Sequence, residues 1–334
     1  MSFPGSKLAR IMLFRAFLVW CAIAVAEAVH AILRLRLHNR RVGDHRVRRV
    51  VRPDVRSFLV LMGFVGLFTA CRSPGIKTPE GIVKSEQRIK LTGKEVAVDF
   101  YLPLGVKKAP VVVVAHGFSR SRSNMAGWGS LLASNGFIAV IPDLPAWADH
   151  DRNSRAVREL LDRLNSKALV TEPEPNGEGA LMGFSMGGLC TLLAAATNSQ
   201  VRCWVGLDPV DTGRKGATAA VGLTIPCALL LAEPSRCNAN GNAAQIVAAL
   251  SGPLFALRVR AATHADPEQP TDWLAELACG KADPKRHEIF ERYAVTALKA
   301  ACFRDARSVA TLAAATNEAA VKDVSIRALQ RFND

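Results

Sequence analysis

The chain has 334 residues, enough for one large domain of about 250 residues plus extra sequence. It is 49% hydrophobic with 24 Gly and 17 Pro, which fits a globular α/β protein and excludes disorder, and no period of roughly 20–50 residues marks a solenoid or propeller. The formal charge of +14 is concentrated in residues 1–71, with 12 Lys+Arg against 3 Asp+Glu, and no later cluster of basic and aromatic residues follows, so nucleic-acid binding is not expected.

The basic excess flanks two apolar segments, as membrane targeting requires. Arg52-Pro-Asp-Val-Arg56 precedes SFLVLMGFVGLFTAC, an apolar stretch that closes on small residues and Cys71. This is the layout of a secretory signal peptide. Its last four residues, Phe68 to Cys71, resemble the bacterial lipobox, which implies acylation at Cys71, a membrane anchor and an exported protein. A short transmembrane anchor or a plain signal peptide is the alternative. Residues 1–50 are harder to place: Ile11 to Ile32 is interrupted by Arg15, Glu27 and His30, and Arg34 to Arg52 is basic. Either the true start lies nearer residue 50, or this is a first transmembrane helix. The expected organisation is therefore a targeting region over 1–71, a Pro- and Gly-rich tether over 72–82, and a folded domain over 83–334.

From Val83 the pattern turns to short β-type runs. Glu95 to Pro103 alternates, and APVVVVAHGF (Ala109 to Phe118) carries the continuous Val run of a strand buried on both faces. Asn124 to Asn135 reads as a helix, Phe137 to Pro145 as a buried strand, and Arg152 to Asn165 as an amphipathic helix. GALMGFSMGG (Gly179 to Gly188) leads from a strand into an apolar helix. Cys203 to Asp211, Pro226 to Glu233 and Phe255 to Ala262 add further strands. Strands alternating with helices predict a mostly parallel central sheet with helices on both faces, and active sites in such sheets lie at the carboxyl ends of the strands.

Gly183-Phe-Ser185-Met-Gly187 has the G-x-S-x-G form of a nucleophile elbow, in the strand-to-helix context that form requires. Ser185 is the expected nucleophile. Acyl transfer also needs an oxyanion hole; its donors should be the N–H of Met186 and the N–H of Phe118, in the loop after the Val run. His116 in that loop reads as structural.

A serine nucleophile needs a general base, and in this fold the histidine comes last in chain order. His264 stands in a short polar loop after a strand and is the expected base, whereas His287 lies in helix-like KRHEIFERY and reads as a solvated surface residue. The acid is open between Asp208, Asp211 and Glu233. Asp208 directly follows an apolar run, where it can be buried and orient imidazole, while Glu233 closes the strand after which this fold more often places its acid. Asp266 reads as a loop residue. Trp128 and Trp147 read as plain core positions, with packing of an acyl or alcohol group as the alternative.

GFSMGG together with GLDPVD (Gly206 to Asp211) resembles the chlorophyllase and dienelactone-hydrolase-like group of α/β-hydrolases over roughly Val83 to Phe303. That resemblance implies the α/β-hydrolase fold, ester hydrolysis through an acyl-enzyme, and Asp208 as the acid; the substrate does not carry over. Exported polyester hydrolases and cutinase-like lipases are a related comparison, with the acid elsewhere. An acyltransferase on the same site, a non-catalytic surface lipoprotein and a peptidase are the rival readings. Six Cys follow Cys71, permitting 15 pairings if all are bridged. Cys190, Cys203 and Cys227 sit in apolar runs as buried hydrophobes, and Cys237–Cys279 is one bridge the loops allow. No CxxC or HExxH spacing is present, so neither metal nor cofactor is expected. The expected partners are an ester substrate and, through the N-terminal anchor, a membrane.

Overall fold

The computed structural model describes residues 80–334. Cys71, the proposed targeting region and nearly all of the tether lie outside them. Nine strands form one sheet: β1 (Ile82–Leu91), β2 (Lys94–Pro103), β3 (Lys108–Ala115), β4 (Ile138–Pro142), β5 (Glu174–Phe184), β6 (Val201–Leu207), β7 (Cys227–Leu231), β8 (Leu254–Val259) and β9 (Val321–Arg327). Their order is β1-β2-β4-β3-β5-β6-β7-β8-β9. The strands from β4 through β8 in that order are parallel, and β1, β2 and β9 close the edges antiparallel. Between them run the helices α1 (Ala126–Ser134), α2 (His150–Asn165), α3 (Met186–Ala195), α4 (Lys215–Ala220), α5 (Ala244–Ala249), α6 (Trp273–Cys279), α7 (Pro284–Cys302) and α8 (Ala306–Ala314).

The Val run explains the layering. Successive side chains of a strand point to opposite faces, so a strand covered on both sides must be apolar throughout. Val112 and Val114 enter the core shared with α1 and α7, while Val111, Val113 and Ala115 enter the core shared with α2. α2 turns Val157, Leu160, Leu161 and Leu164 inward and keeps Asp151, Arg155 and Asp162 exposed, the one-sided stripe of an amphipathic helix. Asp149 caps it, accepting from the Arg152 N–H at 2.9 Å.

Several elements escaped the sequence reading, among them α4, α5, α8, β9 and α6. β9 pairs with β8 beyond Phe303, past the reach of the resemblance. α6 buries no residue at all, so it carries no core periodicity by which to find it. Its last residue, Cys279, is bridged to Cys237 across 42 positions. Cys190, Cys203, Cys227 and Cys302 are free and buried. Closing a loop of this length stabilises the fold by about 4 kcal/mol in the chain-entropy account. The double variant Cys237→Ser/Cys279→Ser should therefore lower Tm by several degrees, whereas Cys190→Ala should follow the smaller cost of a lost buried side chain. A scanning-calorimetry shift of under about one degree for the double variant would show that the loop gains nothing from the bridge. Among the described residues no helix is long and apolar enough to cross a membrane.

Candidate active site

β5 ends at Phe184 and α3 begins at Met186, so Ser185 alone makes the turn, at φ 53° and ψ −120°. A non-glycine residue held at positive φ costs of order 1–3 kcal/mol and persists only where its surroundings enforce it. Here the neighbours do so by close backbone approach. A Cβ on Gly183 would strike the Gly187 carbonyl, and one on Gly187 would strike the carbonyl oxygens of Ala115 and His116. The glycines of the motif thus let α3 drop onto the ends of β3 and β5, and the turn lifts the Ser185 hydroxyl above the sheet. The Ser185 N–H donates to Leu207 O at 3.1 Å, which locks the turn to β6.

The structure brings Ser185, His264 and Asp208 together from three strand ends. Ser185 Oγ lies 2.9 Å from His264 Nε2, and His264 Nδ1 lies 2.6 Å from Asp208 Oδ2. All three are buried, with Asp208 at 1% exposure. With Nδ1–H donating to the carboxylate, Nε2 is left as an acceptor facing the Ser185 hydroxyl, an arrangement able to take its proton. The Phe184 ring packs 4.8 Å from the imidazole and limits its tilt. Asp208 itself sits at φ 41° directly after β6. Its Oδ1 accepts from the Ala232 N–H at 3.1 Å, and its Oδ2 from Asn238 Nδ2 at 3.0 Å.

The competing carboxylates are engaged elsewhere. Asp211 accepts from the N–H groups of Gly216 and Ala217 at 2.7 and 2.9 Å, satisfying two first-turn donors of α4 from the preceding loop. Glu233 is half-exposed and turns to the Ala261 N–H at 3.4 Å and Arg258 at 3.8 Å. Asp266 is more than a loop residue. It is fully buried and accepts from the N–H groups of Thr263 and Asp283 and from Arg286 Nε, so it holds the turn that presents His264.

Met186 supplies the first N–H of α3, which has no acceptor within its own helix. Phe118 follows Gly117, where an added Cβ would meet Ser185 Cβ at 3.3 Å. Both proposed oxyanion donors therefore border the serine. Arg120 ties this loop to the one after His264, pairing with Glu268 at 2.7 Å and Asp272 at 2.8 Å. Neither partner carries a sequence motif.

His116 is buried in the same loop and does not face Ser185 Oγ. Its Nε2 accepts from the Leu144 N–H at 3.0 Å, so Nδ1 carries the proton and donates to Gly117 O at 2.8 Å. Burial holds its pKa below the ordinary value. The unfolded chain therefore binds this proton first: stability falls as pH drops below about 6.5 and levels off once the lowered folded value is passed. Tm measured down to about pH 5 should decline less steeply in His116→Asn than in the parent, since the variant has no proton to gain at this position; parallel slopes would show that His116 makes no contribution.

One sequence expectation is corrected, and one of two open readings is decided. His287 is not a solvated surface residue: it is buried, donates from Nδ1 to Asp266 O at 2.6 Å, and has Nε2 3.0 Å from Glu291. α7 turns it toward the Asp266 loop, whose carbonyl needs a donor. Trp128 does not line a substrate pocket. It is fully buried in α1 and donates to Pro267 O at 2.7 Å. Trp147 is 71% exposed, and its ring lies 4.8 Å from that of Phe118.

Residues 86–246 match a family described as PET hydrolase-like. That span includes Phe118, Ser185, Met186 and Asp208 and stops before His264. The chain is also 34% identical over 99 residues, 29% of its own length, to the bis(hydroxyethyl) terephthalate hydrolase of Streptomyces coelicolor. It spans 32% of that relative. Parallel sheet, elbow and family match agree on the α/β-hydrolase fold, with the likeness to PET hydrolases confined to residues 86–246.

Proposed function

We propose that the protein is a serine hydrolase that cleaves carboxylic esters through an acyl-enzyme. The observation that carries this is the continuous relay Ser185–His264–Asp208, with contacts of 2.9 and 2.6 Å. His264 Nε2 takes the Ser185 proton as Oγ attacks the ester carbonyl, and the imidazolium rests on Asp208. The oxyanion forms against the N–H groups of Phe118 and Met186, each worth about 3–4 kcal/mol when well placed. His264 then returns the proton to the leaving alkoxide, and water, activated by the same base, releases the acid.

The ester is one with an apolar or aromatic part. Phe118 and Trp147 form an exposed ring pair in and beside the loop that borders Ser185, and rings in that setting stack on flat groups. The name of the Streptomyces relative points to a terephthalate diester as a first compound to assay. Export by the segment ending at Cys71, with a lipid anchor there, belongs to the same reading. It is supported by the signal-like layout and by the Cys237–Cys279 bridge, since disulfides persist in oxidising compartments.

The test is turnover of p-nitrophenyl esters from acetate to palmitate and of a terephthalate diester, with fluorophosphonate labelling of Ser185. Labelling with turnover is the expected result. A folded protein that neither turns over any ester nor takes the label would be a binding protein that retains the fold.

A further inference from the structure

We propose that Asn238, in the loop after β7, is the positioning residue of the triad acid, a role that rests on reading Ser185, His264 and Asp208 as that triad. Asn238 is 1% exposed, and its amide is fully engaged. Oδ1 accepts from the N–H groups of Ser235 at 2.7 Å and Gly241 at 3.0 Å. Two backbone donors on one atom fix that atom as the oxygen, so the other end is the NH2 group. Nδ2 donates to Glu233 O at 2.9 Å and to Asp208 Oδ2 at 3.0 Å. Four bonds hold a planar group, which cannot turn away from Asp208 without orphaning buried donors.

The carboxylate needs this hold. The last torsion of an aspartate is broad, and the Ala232 N–H on Oδ1 leaves the other oxygen free to swing about it. Asn238 places Oδ2 where His264 Nδ1 finds it. Cys237, the preceding residue, is bridged to Cys279, and the next residue, Gly280, accepts from Thr263 Oγ1 at 3.3 Å beside His264. One covalent clip thus steadies the loop of the acid's holder against the loop of the base. The charged groups around Asn238 are Asp208 and His264; the Glu233 side chain turns toward Arg258, and Arg236 is exposed.

Asn238→Asp separates positioning from folding. The new carboxyl keeps an oxygen for the Ser235 and Gly241 N–H groups but turns an oxygen, not a donor, toward Asp208. When protonated it donates to Asp208 as the amide did; when ionised it repels it. On p-nitrophenyl acetate near pH 8, kcat should fall about tenfold or more with KM within about twofold, the pattern of an interaction made in the transition state. The ratio of variant to parent kcat should rise at least about threefold as pH is lowered toward 6 and the added carboxyl takes up its proton. Asn238→Ala should lose kcat at every pH without that recovery. An unchanged kcat in Asn238→Asp, or a ratio flat with pH, overturns the inference. Failure of the parent to hydrolyse the ester or take a fluorophosphonate label overturns the reading of the triad instead.

Discussion

Ser185→Ala should lower kcat for ester hydrolysis by about a millionfold, and adding His264→Ala should lower it no further. The reason is the geometry of the relay. In the proposed mechanism His264 Nε2, 2.9 Å from Ser185 Oγ, takes the proton of the attacking hydroxyl. Without the hydroxyl the base has nothing to activate, and without the base the hydroxyl remains a weak nucleophile. Each single removal therefore costs nearly the whole effect, and the residual rate comes from the oxyanion donors and from binding. Steady-state rates of the two single variants and the double variant test this. Multiplicative losses would mean that the two side chains act independently and would sink the triad reading. The folds should stand, because neither side chain supports the elbow; that falls to the glycines and to the bond from the Ser185 N–H to Leu207 O.

What the sequence made legible was local. The elbow could be read because a serine between close-packed glycines at a strand-to-helix turn is a short-range requirement, met within a few residues. Asp208 and His264 could be read as candidates because Asp208 directly follows β6 and His264 stands in the short loop after β8, and strand ends share one edge of a parallel sheet. The supports were not legible. Asn238 meets Asp208 across 30 positions, and Arg120 meets Glu268 across 148. Neither Asn238 nor Arg120 has a spacing or an apolar context that separates it from an ordinary loop residue. His287 misled for a related reason: a helix with charged neighbours looks solvated until the loop that covers it is seen, and that loop is held by Asp266 through its own contacts to Asp283 and Arg286.

The proposed acid, Asp208, is the residue on which this site departs from the commoner placement in its fold, and it yields the second large effect. Asp208→Ala should lower kcat by about 10⁴-fold with KM little changed, because Nδ1–H loses its acceptor and the imidazolium its counter-charge. Asp208→Asn should lose less. The Oδ2 position faces two donors, His264 Nδ1 and Asn238 Nδ2, and the Oδ1 position only one, the Ala232 N–H. An amide at 208 therefore turns its oxygen to His264 and keeps the productive tautomer, surrendering the charge and the bond from the Ala232 N–H. Glu233→Gln should leave kcat within about twofold, since its side chain is half-exposed and faces Arg258 and the Ala261 N–H. Asp211→Ala should cost about 1 kcal/mol of stability, because two first-turn donors of α4 lose their acceptor, with kcat retained. A collapse of kcat in Glu233→Gln, with Asp208→Ala still active, would move the acid to the strand end after β7 and leave Asp208 a buried support. The three hydrogen bonds converging on Asp208 argue against that outcome, because a carboxylate buried to 1% exposure and bonded at both oxygens is already committed to the imidazole it orients.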